Sequence, residues 1–190
     1  MQDRDKWNAK YKQAESAPTE PSILLKSLEG ILPRRGRALD VAGGAGRHAI
    51  WLAKRGLDVT LADISAVGLE IARRRSHLAG TSIDTCEIDF TVDPFPAGPW
   101  DLIVSFHYLW RPLFDVFPNV LAAGGILVFV QPTRSNLQRN EKPPEGFLLE
   151  DGELPTLVTG LSIIRHEEGW LAEGRHDALL IASRVSPSSG

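Results

Sequence analysis

A single cysteine, Cys86, stands in a chain of 190 residues. That excludes an internal disulfide and any metal site built on several cysteines. No apolar run approaches the ~20 residues of a membrane span. The opening stretch, MQDRDKWNAKYKQ, mixes acids and bases around no apolar centre, so it does not read as a secretion signal. An excess of one charge is missing too: 21 basic against 24 acidic residues leave a net charge of −3. Such a balance offers no general attraction to a phosphate backbone or an anionic membrane. The expected location is the cytoplasm, with neither nucleic acid nor membrane as a partner. No Ser-His-Asp arrangement or zinc motif is legible, and no metal is expected.

What is present reads as an ordinary globular chain, 43% apolar and 24% charged. The length suits one domain, expected over 1–184, with VSPSSG (185–190) as a disordered tail. A monomer or weak homodimer is expected. Basic residues gather at Arg34, Arg35 and Arg37, at Lys54 and Arg55, and at Arg73, Arg74 and Arg75. The last two groups close predicted helices, where cations suit the helix dipole, so they argue only weakly for nucleic acid.

Strand-like and helix-like runs alternate. RALDV (37–41), DVTLAD (58–63), SIDTCEI (82–88), WDLIVSF (100–106) and GILVFVQ (125–131) read as strands. RHAIWLAKRG closes on Gly56 as a helix C-cap, and Ser65 caps a helix running to about His77. RPLFDVFPNVLAAGG reads as a helix interrupted by Pro118. Residues 132–150 show no period and carry three prolines, which predicts a long ordered loop. GELPTLVTGL follows as a short helix. SIIRHEEG and ALLIASR are then two strands joined as a hairpin, one of them antiparallel to the rest. This pattern predicts an α/β, Rossmann-like, doubly wound seven-stranded sheet, mostly parallel with an antiparallel C-terminal strand hairpin.

The stretch LDVAGGAGRHA carries the chemistry. GAGRHA fits the dinucleotide pattern G-x-G-x-x-G/A, and Asp63 follows at the spacing that pattern wants. Asp40 argues against a pyrophosphate, which a carboxylate just before the turn would repel. A cationic ligand would welcome it. Asp40-x-Ala42-x-Gly44-x-Gly46 resembles motif I of the class I S-adenosylmethionine (SAM)-dependent methyltransferases, with Ala42 in place of the first glycine. With WNAKY, EPSILL, HYLWRPLF and FLLEDGEL, the chain from Trp7 to about Arg184 is similar to the small bacterial methyltransferases of the tellurite-resistance and thiopurine type.

The resemblance implies roles residue by residue. Asp40, Ala42, Gly43, Gly44 and Gly46 would line the cofactor turn. Asp63 would accept the ribose hydroxyls, unless it merely starts a helix. Ile64 would pack on the adenine. Asp89 and Phe90 would hold the adenine edge, unless DFTVDP is simply a turn. Ser105 and Phe106 would line the cofactor pocket. His107, Tyr108 and Arg111 would face the substrate; the alternatives are a structural histidine, a core aromatic and a surface ion pair. Trp7 and Tyr11, four apart on a helix, would lid the cofactor or pack plainly. From topology rather than from the resemblance, the 132–150 loop would form the other wall through Arg134, Asn140 or Phe147.

The expected activity is methyl transfer from SAM to a small-molecule acceptor: a thiol, chalcogen oxyanion or amine. The protein would contribute mainly positioning, with His107 the base if the acceptor must lose a proton. The rivals are an NAD-dependent oxidoreductase, a non-catalytic SAM-binding module, and an RNA or protein methyltransferase. The acceptor pattern SFHYL differs from the DPPY/NPPY of nucleic-acid amino methyltransferases, which counts against base methylation.

Overall fold

The computed structural model describes residues 2–13 and 17–185. The expected tail, apart from Val185, lies outside the described residues. The chain divides into two compact units, 1–96 and 97–190.

The first unit opens with helix α1 (Gln2–Gln13) and a short α2 (Ile23–Ser27), then alternates strand and helix. Strands β1 (Arg37–Val41), β2 (Asp58–Asp63) and β3 (Asp84–Glu87) run parallel in the order β3-β2-β1. Helices α3 (Arg47–Lys54) and α4 (Ala66–Leu78) connect them. Parallel strands need such crossovers, because a tight turn can only reverse the chain. Leu39 and Val41 of β1, and Leu61 of β2, are fully buried with Ala49 and Leu52 of α3 and Leu69 and Ala72 of α4. Each buried leucine contributes roughly 1.5–3 kcal/mol. The glycine at 56 takes a φ of +98° one residue past the α3 C-cap, as a helix-ending glycine should.

The second unit holds β4 (Trp100–Phe106), α5 (Leu113–Val120), β5 (Leu121–Pro132), α6 (Leu154–Leu157), β6 (Ser162–Trp170) and β7 (His176–Ser183). Its strand order is β4-β5-β7-β6. Strands β4 and β5 are parallel, and β7 runs antiparallel to both β5 and β6. Phe129 is buried under Phe114 and Phe117 of α5, at centroid distances of 4.8 and 6.5 Å. Seven strands in all give the expected mostly parallel, Rossmann-like sheet with its antiparallel C-terminal hairpin.

Several boundaries differ from expectation: β3 spans only Asp84–Glu87, α6 only Leu154–Leu157 and β7 His176–Ser183, and the largest difference lies between α5 and β5. LAAGG does not finish α5: the helix stops at Val120 and β5 begins at Leu121. Pro118 removes an N–H from the helix and crowds the turn before it, so the helix ends two residues later. The 132–150 segment is ordered by two 3₁₀ turns, Arg134–Gln138 and Glu145–Phe147. Among the described residues no helix is long and apolar enough to cross a membrane.

Candidate functional site

In the first unit the site grows from the C-terminal ends of β1 and β2. Strand β1 ends in Asp40 and Val41, and the chain then turns through Ala42 to Gly46 into α3. Helix α3 has Gly46 at its N-cap, in the left-handed region (φ +79°), with no side chain to bond the first turn. Asp40 supplies what that cap lacks: its Oδ2 accepts the N–H of Ala49, the third residue of α3, at 3.0 Å. This role was not legible in the sequence, where Asp40 was read only as a charge. The carboxylate is 1% exposed, and its Oδ1 has no hydrogen-bond partner. Burial raises its pKa to about 7, against the pull of the Ala49 N–H.

The glycines are required by close packing. A Cβ on Gly43 would collide with the Asp40 carboxylate and with Leu61, and one on Gly46 would lie 2.8 Å from the Ala72 Cβ. At Gly44 (φ +58°) it would strike the hydroxyl of Tyr11. Ala42, where the motif has glycine, also adopts a left-handed φ of +53°. Alanine there costs about 1–2 kcal/mol that glycine would not.

Asp63, 5% exposed at the end of β2, accepts main-chain N–H groups, Gly44 through Oδ2 and Ser65 through Oδ1, each at 2.8 Å. Burial raises its pKa despite these bonds. Asp63 thus clamps the glycine turn to the start of α4. Beside it, Ile64 is half-buried.

Helix α1 lies over this corner. Asn8 Oδ1 accepts the Ser65 hydroxyl at 2.7 Å and the Val67 N–H at 3.3 Å, extending the cap of α4. Tyr11 packs against Gly44 and Gly68, and its ring lies 6.1 Å from that of Trp7. Burial and the nearby Asp63 and Asp40 push the Tyr11 phenol above its ordinary pKa. Asn8 was missed in the sequence because a lone asparagine on a polar helix carries no signal.

Asp89 sits in an Asx-type turn, with Oδ1 accepting the Thr91 N–H at 3.0 Å and the Thr91 hydroxyl at 2.6 Å. Those bonds, the hydroxyl first, hold its pKa low. Phe90 is buried, 5.5 Å from the Phe95 ring.

In the second unit the candidates follow β4. Ser105 is fully buried with its hydroxyl unpartnered, and Phe106 is buried. His107 adopts a φ of +63°, uncommon for a residue with a Cβ, while its N–H stays on Val130 O at 2.8 Å. Its Nε2 lies 3.3 Å from Asp177 Oδ2, at the start of β7. Arg175 Nε reaches the same oxygen at 3.3 Å. Burial would raise the Asp177 pKa, but the hydrogen bond and charge of His107, then Arg175, bring it below its ordinary value. Tyr108 is half-buried. Arg111 forms a bidentate pair with Glu153, Nε to Oε1 at 2.6 Å and Nη2 to Oε2 at 2.8 Å. That pair raises the Arg111 pKa and lowers that of Glu153. Asp177 and Glu153 were not singled out in the sequence, and nothing in their local context marks them.

The loop residues are tied down within the unit. Arg134 bonds Glu150 at 2.7 Å, and Asn140 bonds Asn136 and Gly174, each at 3.0 Å. Phe147 is about half exposed. Among the described residues one group brings ligating atoms within 4.8 Å of one another: Asp151, Glu168 and His176. Each already holds a partner in the chain, Ser135, Gly152 and Thr133 respectively.

Residues 38–125 match the family described as a methyltransferase domain. An uncharacterized Mycobacterium tuberculosis protein is 39% identical over 171 residues, covering 83% of this chain and 55% of the relative. The tRNA 5-carboxymethoxyuridine methyltransferase of Escherichia coli is 32% identical over 119 residues, covering 56% of this chain and 45% of that protein. The chain thus spans about half the length of these curated relatives. Among solved structures, TehB of Haemophilus influenzae superposes with a TM-score of 0.73 at 18% identity, covering 94% of this chain and 67% of that one.

Proposed function

We propose, from the premise that residues 38–125 belong to the class I SAM-dependent methyltransferases, that the protein transfers a methyl group from SAM to a small-molecule acceptor. It does so as one domain over 1–184, in the cytoplasm, as a monomer or weak homodimer, without nucleic acid or membrane. The observation that carries this reading is Asp63: a buried carboxylate at a parallel strand's C-terminal end, locked to a glycine turn by the Gly44 N–H. Ligands of open α/β sheets bind at that edge.

The residues present fit this cofactor. The Asp63 carboxylate takes the N–H groups of Gly44 and Ser65, with the Ile64 N–H as a third, and with about four lone-pair positions it keeps room for a ribose hydroxyl. Asp40 Oδ1 is a buried acceptor without a partner, suited to a cationic ligand and ill suited to a pyrophosphate. In this reading Ala42, Gly43, Gly44 and Gly46 hold the amino-acid part, while Ile64, Asp89 and Phe90 enclose the adenine. SAM, when bound, supplies an electrophilic methyl group with a neutral leaving group. The chain's task is then to orient the reactants, exclude water and, where needed, accept a proton at His107. Tyr11 covers the turn at Gly44, so α1 controls access there.

Calorimetry tests the reading. SAM and its demethylated product, S-adenosylhomocysteine (SAH), are expected to bind, and NAD is not; the reverse pattern would restore the oxidoreductase. One observation favours a second reading, an RNA acceptor: the Escherichia coli relative is by name a tRNA methyltransferase. RNA binding with a steep salt dependence would support that alternative.

A further inference from the structure

We propose that Asp177 is a positioning residue for His107, and that the pair serves an acceptor that reacts through a hydroxyl group. The proposal rests on the methyltransferase reading above and names its acceptor class.

The backbone comes first. Along β4, side chains alternate faces, so His107 would share the face of Ser105. Register pairs Phe106 with Val130, and Val130 with Leu179, so Asp177, two residues from Leu179, shares the face of Phe106. His107 escapes the alternation through its left-handed φ of +63°. The chain accepts this strained conformation where the His107 imidazole meets Asp177, at 3.3 Å.

Burial comes second. The Asp177 side chain is 1% exposed, whereas that of His107 is 26% exposed. The dyad therefore has a sunken acid and a ring that reaches the surface. Arg175 also donates to Asp177 Oδ2, and Glu173 draws the other end of that guanidinium at 3.7 Å. Asp177 Oδ1, Gln131 Oε1 and Ser105 Oγ are buried and unpartnered, an expensive arrangement for packing alone.

With Nε2 donating to Asp177, His107 presents Nδ1 as a base. A thiolate or selenolate is already an anion and needs no base. An amine attacks through its lone pair and sheds its proton afterwards. A hydroxyl is a poor nucleophile until its proton leaves. In the step, the acceptor oxygen bonds to the methyl carbon as the methyl–sulfur bond breaks, and that electron pair stays on sulfur. The hydroxyl proton passes to Nδ1 and then to solvent, and Asp177 balances the transient imidazolium.

Proton NMR of the whole chain is expected to show an exchange-protected, downfield His107 Nε2 proton that Asp177→Asn abolishes. With catechol as acceptor, Asp177→Asn is expected to lower kcat on the order of 100-fold with little change in KM. It should leave SAH affinity unchanged and move the acid limb of the pH profile. A wild-type His107 without a protected Nε2 proton overturns the proposal, and it does so even if the variant fails to fold. Methylation of 2-mercaptoethanol but not of catechol overturns it equally. Loss of SAH binding by the wild-type protein would instead bring down the methyltransferase reading.

Discussion

In residues 1–96 the two buried carboxylates are gripped by main-chain N–H groups: Asp40 by Ala49, and Asp63 by Gly44 and Ser65. In residues 97–190 two of the candidates are gripped by other side chains: His107 by Asp177, which also holds Arg175, and Arg111 by Glu153. Main-chain donors are fixed by the turn and helix that carry them, so the first site is as rigid as the fold. Side-chain partners can be exchanged without changing the fold, so the second site is free to vary. Under the proposed function, the first pattern would suit a group that does not change and the second a group that does.

The comparison can be broken most severely at Asp40. Its folded pKa of about 7 stands above the ordinary 3.8, so the folded state holds this proton more tightly. Its contribution to stability is therefore complete below about pH 4 and is lost as pH rises through about 7. Asp40→Asn keeps an acceptor for Ala49 and removes the titration. Relative to wild type the variant should gain stability from pH 4 to 8, by at most about 4 kcal/mol. Denaturant unfolding across that range measures the difference; a constant difference would refute a buried, uncompensated carboxylate.

Asp63→Ala comes next. It removes the acceptor of main-chain N–H groups and is expected to weaken SAM binding by roughly 1–3 kcal/mol, read by calorimetry on a folded variant. Unchanged affinity would take Asp63 out of the site. Ala42→Gly sharpens the account of the turn: it should relieve left-handed strain and raise stability by about 0.5–1 kcal/mol in thermal unfolding. Smallest of all, Arg111→Gln should cost less than about 1 kcal/mol, since exposed pairs contribute little. A large loss of acceptor affinity with stability intact would show that Arg111 leaves Glu153 to bind substrate.

How far the sequence reached follows the same division. Strands β1, β2 and β4 were legible to the residue: β1 and β2 are apolar runs that end at an acid, and β4 is an apolar run that stops at Phe106, before His107. Ser65 marked the start of α4 because a helix needs a cap. The β5 start was misread because Leu121, Ala122 and Ala123 are good helix formers, and only the pairing of Leu121 with Trp100 shows it as strand. Asp177 and Glu153 were invisible because they lie 70 and 42 residues from the side chains they hold.

The sequence by itself determined the alternating fold, the glycine turn and the acids at strand ends, since each follows from local backbone chemistry. The tertiary structure alone decided that Asp40 caps α3, that Tyr11 covers Gly44, and that Asp177 stands behind His107. Each is a contact made by a side chain with a group outside its own local element, and its energy depends on burial and distance, which only the folded chain sets.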